Sequence, residues 1–142
     1  TEGWMLACET AKQFVAVQPY ILSGTFSSPA GSKASWSFDA TESRARRLVG
    51  PCLAGRSFYI ALSSTDTALE PEFAAVIKAS GGTIQRAKPS ASGGAVIVVS
   101  SEDARGQWGR WLNWDHVTLL RQDHLLTCIM RQQLDLTDGL LS

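Results

Sequence analysis

The sequence predicts an α/β domain, a four-stranded, largely parallel sheet flanked by three helices in the order βαββαβα. Three observations carry this reading. Within Gly55-Arg-Ser-Phe-Tyr-Ile-Ala-Leu62, Phe58, Ile60 and Leu62 alternate with Tyr59 and Ala61, the two-residue period of a strand. From Glu70 to Ser80, the residues Phe73, Val76, Ile77 and Ser80 share one helical face, and Gly81-Gly82 follows where a helix end needs a left-handed residue. Ala95-Val-Ile-Val-Val99 is an unbroken apolar run, as a parallel strand covered on both faces requires.

The remaining elements follow in order. Thr1 to Ala11 reads as a helix with Trp4, Ala7, Cys8 and Ala11 on one face. Phe14 to Leu22 reads as extended, with Pro19 discouraging helix. Both segments carry apolar faces with nothing before them to pack on, so the chain is expected to be an excised fragment. Ser23 to Ser35 is rich in glycine and serine and reads as a flexible linker. Gly31-Ser32-Lys33 within it lacks the spacing of a phosphate loop and a strand in front, so linker is the better reading. Asp39 to Leu48 opens on a capping residue and ends on basic ones, which suits a short helix and its dipole. Arg44, Arg46 and Arg47 are read as a solvated helix end rather than an anion site, and Gly50-Pro51 stops the helix.

Beyond the first strand, Ser63-Ser-Thr-Asp-Thr67 is a polar loop at the place where α/β folds bind ligands. Thr83 to Arg86 reads as a short second strand, and Lys88 to Gly94 as a turn-rich connection to the third. Ser100 to Asp103 offers a helix start, followed by an apolar stripe of Ala104, Trp108, Trp111 and Leu112. At this spacing Trp108 and Trp111 are read as core or interface residues rather than a ligand-stacking platform. Val117 to Leu120 is the fourth strand. Asp123 then caps a last helix whose Leu125, Leu126, Ile129 and Met130 are expected to point inward.

The totals narrow the function class. A chain of 142 residues can bury a real core without a disulfide or metal staple. Its 13 basic and 13 acidic side chains balance, which argues against broad electrostatic binding to nucleic acid. Cys8, Cys52 and Cys128 are far apart, at no ligand spacing to His116 or His124, and are read as reduced thiols rather than a metal site. No stretch is apolar enough to span a bilayer, and a soluble, intracellular protein is expected. No nucleophile–base pair, paired acid or metal set emerges, so no catalytic residue, cofactor or metal is expected, and the protein is read as no enzyme.

The order of elements, the glycine pair Gly81-Gly82 after the first helix and the apolar first and third strands resemble the BRCT domain, over Leu53 to about Leu136. The last helix of that family usually carries a tryptophan, and His124 stands in its place here. Thr1 to Cys8, followed by Phe14-Val15 and Tyr20 to Leu22, is similar to the last helix and tail of a preceding repeat. The resemblance thus divides the chain into 1–22, the end of a truncated first repeat; 23–52, an inter-repeat linker with a short helix; and 53–142, a complete second repeat. Trp36-Ser-Phe38 leading into Asp39 to Leu48, with Phe58-Tyr-Ile60 beyond, is most similar to the tandem C-terminal BRCT pair of PTIP-like DNA-damage scaffolds.

What the resemblance implies is a nuclear, noncatalytic adaptor of the DNA-damage response that reads a phosphoserine motif, such as a phosphorylated histone tail. In tandem pairs the first repeat holds the phosphate, through a Ser/Thr, a backbone amide and a Lys, and those segments are not in this sequence. The second repeat supplies the groove for the residues after the phosphate, and the corresponding positions are Thr67, Ala68, Leu69, Gln122 and Leu126. The phosphate candidates within this repeat are Ser63, Ser64 and Arg105, although the usual neighbouring glycine and lysine are missing and a polar, self-capping loop is the competing reading. The expected partners are a phosphorylated protein or histone-tail peptide and the first repeat, with neither membrane nor direct nucleic-acid binding. Two alternatives stay open: a structural or dimerisation module, which an exposed Trp108 or Trp111 would favour, and the accessory domain of a larger DNA-repair enzyme.

Overall fold

Unbroken apolar strands cannot tolerate water on either face, and here they assemble side by side into one sheet with helices on both sides. A computed structural model describes residues 1–27 and 35–142; Gly31-Ser32-Lys33 lies outside the described residues. The elements are α1 (Glu2–Ala11), β1 (Ser23–Ser27), β2 (Ser35–Asp39), α2 (Ala40–Val49), β3 (Ser57–Ala61), α3 (Glu70–Ala79), β4 (Thr83–Ile84), β5 (Val96–Ser100), α4 (Arg105–Trp108), β6 (Val117–Arg121) and α5 (Gln122–Arg131), with short 3-10 turns between some of them. The main sheet has the order β4-β3-β5-β6 and every pairing in it is parallel. Phe58 stands opposite Ile97 and Ile60 opposite Val99, while Val98 stands opposite Leu119. The expected α/β architecture is the one observed.

Alternation along the strands splits the core into two layers. Phe58, Ile60, Ile97 and Val99 face α3 and α5, where they meet Phe73, Ile77 and Leu125. Ala61, Val98 and Leu119 face the other way, onto Ala104, Trp108 and Trp111. All five residues of β5 are buried, which makes it the centre of the fold. Ser100, the polar end of that strand, satisfies its hydroxyl by donating to the Ala61 carbonyl. Trp108 and Trp111 are therefore core residues: they are 0% and 2% exposed, the Trp108 indole N–H donates to the Ser101 carbonyl at 2.9 Å, and Trp111 meets Tyr59 edge-on at 5.7 Å.

The glycine pair has a distinct reason at each position. Gly81 adopts φ +88°, and its N–H donates to the Lys78 carbonyl while that of Gly82 reaches the Ile77 carbonyl, closing the end of α3. At Gly82 the reason is proximity, since a Cβ there would lie 2.7 Å from Ile77 Cγ2 and 2.9 Å from Phe58 Cε2. Beyond α5, residues 139–141 run antiparallel to β6 and cover its outer edge: Arg121 N–H donates to the Gly139 carbonyl and Leu141 N–H to that of Leu119. Gly139 turns the chain at φ +68°, and a Cβ there would lie 2.1 Å from His124 Cγ.

Several local expectations are corrected. The segment read as flexible linker forms, in its described part, a two-stranded antiparallel hairpin of β1 and β2, because Phe26 and Trp36 pair across it at 5.1 Å and Trp36 meets Phe38 at 6.5 Å. Within Phe14 to Leu22, Gln18–Tyr20 is a 3-10 turn rather than extended chain, since proline suits a first helical turn. This segment folds back on α1, with Trp4 stacked on Phe14 at 6.0 Å and its indole N–H donating to the Val15 carbonyl. The helix expected after Ser100 is broken into two 3-10 turns around the four-residue α4, as Gly106 and Gly109 weaken it, and Leu112 is 38% exposed instead of joining the stripe. Asp123 sits in the first turn of α5 and Arg121 takes the cap position. Asp39 does cap α2, accepting from the Thr41 and Glu42 amides at 2.8 and 3.1 Å.

The most consequential correction concerns the apolar faces of α3 and α5. Phe73, Ile77, Leu125 and Cys128 point inward, but Val76, Leu126 and Met130 are turned to solvent. Each helix is apolar over a wider arc than the sheet can cover. Cys128 is buried, Cys8 and Cys52 are half-buried, and burial pushes the Cys52 and Cys128 thiols above their ordinary range.

Candidate functional site

In an open parallel sheet the strand ends leave a crevice at their carboxyl edge, and three loops meet there. The loop after β3 builds its own shape. Asp66 N–H donates to the Ser63 carbonyl at 3.0 Å, the Thr67 hydroxyl donates to the same carbonyl at 2.9 Å, and the Ser63 hydroxyl lies 3.2 Å from that of Thr65. Gln122 Nε2 donates to the Asp66 carboxylate at 3.3 Å and ties this loop to the start of α5. Leu69 is thereby held beside α5.

The result is an apolar groove of about 340 Å³ between α3 and α5. Leu69, Phe73, Val76 and Leu126 form its walls, and Glu72, Gln122 and Asp123 its polar rim. Leu69, Val76 and Leu126 are 40%, 36% and 40% exposed, so the walls are open to an incoming side chain. Around the corner, Gln122 and Asp123 also line a second cleft of about 360 Å³ with Asp66, Ser100 to Asp103 and Arg121. There Asp123 pairs with Arg121 at 3.1 Å, and this bond raises the already high pKa of the guanidinium and keeps it charged.

The groove candidates divide in two. Leu69, Gln122 and Leu126 are brought together on this groove. Thr67 instead lines a crevice of about 420 Å³ with Tyr59, Glu70 and Gln107, and Ala68 is exposed on the turn between the two. In that crevice, burial and the Glu70 carboxylate raise the Tyr59 phenol above its ordinary range. The phosphate candidates are engaged separately. Ser63 is buried within its own loop, Ser64 is exposed, and the Arg105 guanidinium donates to the Ser142 carbonyl at 2.9 Å and lies over the Trp108 ring at 5.4 Å.

Sequence reasoning missed Val76 as a groove wall and missed the carboxylates of Asp66, Glu102 and Asp103. The signal for Val76 was present in the width of the apolar arc on α3. The carboxylates come from separate loops and converge only through the parallel topology. Among the described residues, no group of three His, Cys, Asp or Glu side chains is placed to hold a metal ion. No family model matches this chain, and no curated protein matches it either.

Proposed function

We propose that this chain is the second-repeat half of a BRCT-type reader, a noncatalytic nuclear adaptor of the DNA-damage response that binds a phosphoserine peptide, such as a phosphorylated histone tail. In this reading the phosphate is held by the first repeat, and the groove between α3 and α5 receives the residues that follow it. The observation that carries the reading is the convergence of Leu69, Gln122 and Leu126 on one open apolar groove. Resemblance placed these three residues from separate parts of the sequence, and an unpartnered apolar wall with a polar rim is what peptide side-chain recognition needs. The engagement of Ser63 and Arg105 with separate partners supports a phosphate site outside this repeat. The dimerisation alternative asked for an exposed Trp108 or Trp111, and both are buried.

Titration of the full-length protein with phosphorylated and unphosphorylated forms of one peptide tests the proposal. The phosphorylated form is expected to bind more tightly, and Leu126→Glu to weaken it about tenfold by removing apolar contact, with little change in the unfolding midpoint. Equal affinities for the two forms overturn it.

A further inference from the structure

We infer that α2 is a clasp that sets the spacing of the groove walls, with Arg46 and Arg47 as positioning residues that tie the C-terminal ends of α3 and α5 together. The inference rests on the peptide-reading role proposed above and names what holds that site to its width.

The last four carbonyls of a helix have no partner inside it and must find donors elsewhere. In α5 the turn that follows supplies two, as the Gln133 and Gln132 amides donate to the Cys128 and Ile129 carbonyls at 3.0 and 3.1 Å. In α3 the turn that follows supplies three: Ser80, Gly82 and Gly81 N–H donate to the Val76, Ile77 and Lys78 carbonyls, each at 3.0 Å. Among the described residues, no backbone amide reaches the Met130, Arg131 or Ala79 carbonyls. These are the three that α2 takes. The Ser43 hydroxyl donates to the Met130 carbonyl, the Arg46 guanidinium to that of Arg131 at 3.0 Å, and the Arg47 guanidinium to that of Ala79 at 3.3 Å.

One surface helix thus satisfies the acceptors that two other helices leave over. Cations are favoured at this end of a helix by its dipole, and Glu42 aims the Arg46 guanidinium by pairing with it at 2.9 Å. Of the three arginines read as a solvated helix end, Arg46 and Arg47 are engaged in this way, while Arg44 is exposed. The chain leaving α2 extends the tie, since Leu53 N–H donates to the Ser80 carbonyl at 3.0 Å just beyond α3.

The groove lies about one helical turn from these bonds, because Val76 precedes Ala79 and Leu126 precedes Met130 by about that distance along each helix. The sheet holds the inner faces of both helices through Phe73, Ile77 and Leu125. Their outer faces are uncovered at Val76, Leu126 and Met130, so the clasp is what fixes how far apart the walls stand at this end. A groove already held to width loses less freedom when a side chain enters it, and that preorganisation is what the clasp contributes to affinity.

The test uses the full-length protein with nitroxide labels on non-natural residues at positions 75 and 130, exposed sites on α3 and α5. Their distance distribution reports the spacing of the two helices without any peptide. Arg46→Ala combined with Arg47→Ala is expected to broaden that distribution and to weaken phosphopeptide binding about tenfold, with an unchanged circular dichroism spectrum. Arg46→Lys combined with Arg47→Lys keeps a charged donor at each position and is expected to restore most of both. Should the double alanine variant fail to fold, Arg47→Ala alone releases only α3 and gives the same two readouts. An unchanged distribution, a broadened one that lysine does not reverse, or a broadened one with unchanged affinity overturns the inference and leaves the phosphopeptide reading standing. Lysine-reversible broadening in a protein whose affinities for phosphorylated and unphosphorylated peptide are equal, and fall together, supports the inference and overturns that reading. Binding of neither peptide overturns that reading too, and the distance distribution alone then decides the clasp.

Discussion

Replacing Trp108 by alanine is expected to cost about 3–5 kcal/mol of folding stability. The indole is fully buried in the layer between β5 and α4, surrounded by Ala61, Val98, Ala104, Trp111, Leu119 and Leu141. Removing it leaves a void among close-packed side chains, and α4 is a single turn held between two 3-10 turns rather than a long helix that could shift inward as a unit. The substitution also frees the Ser101 carbonyl that the indole N–H now satisfies at 2.9 Å. A domain of this size is stable by about 5–15 kcal/mol, so the loss is a large share of the total. Urea unfolding would register it as a fall in midpoint at nearly constant slope. A change below about 1 kcal/mol would mean that Trp108 is a surface residue and that the second core layer is wrongly drawn.

Gly81→Ala is the second large effect, at about 2–4 kcal/mol. A left-handed conformation costs an L-residue about 1–2 kcal/mol, and φ is +88° here. The new Cβ would also stand 2.7 and 2.9 Å from Pro51 Cβ and Cγ, an overlap worth about 1–3 kcal/mol when the backbone cannot yield. Gly82→Ala is expected to cost about 1–3 kcal/mol for the overlap alone, since its Cβ would press on Phe58 and Ile77 in the core. Thermal unfolding of the two variants should rank Gly81→Ala as the worse. The reverse order would show that the left-handed turn matters less than the approach of Gly82 to the core.

These two sites show what was legible in the sequence. Alternation at Phe58 to Leu62, the apolar run Ala95 to Val99 and the glycine pair each reflect a local demand, and local demands are visible in local residues. The partner of an apolar face is a different matter. Val76, Leu126 and Met130 read as inward because periodicity reports that a face is apolar without reporting what covers it. Their exposure in the fold is what turns the α3–α5 surface into a candidate site. The hairpin of Ser23–Ser27 with Ser35–Asp39 was hidden because its aromatic pair, Phe26 and Trp36, lies on either side of a glycine- and serine-rich stretch whose composition dominates the reading.

The lining of the candidate groove was legible in part, and for a similar reason. Leu69, Gln122 and Leu126 were placed by resemblance, and they converge on one groove. Thr67 was placed on the same turn, but its hydroxyl closes the loop onto the Ser63 carbonyl and the residue lines the crevice on the other side. Asp66, Glu102 and Asp103 are unremarkable as single acidic residues in a neutral chain. Only the parallel order β3-β5-β6 brings their loops to one edge, where the charge becomes concentrated.

The central claim is that the α3–α5 groove receives the residues following a phosphoserine. Photo-crosslinking tests it most directly, using the full-length protein and a phosphopeptide with a photoreactive apolar residue at successive positions after the phosphate. Mass spectrometry of the products should place the attachment on Leu69, Val76 or Leu126 for one of those positions, and Leu126→Glu should suppress it. Attachment confined to α2, to the edge strand β4 or to the crevice around Tyr59 would contradict the account.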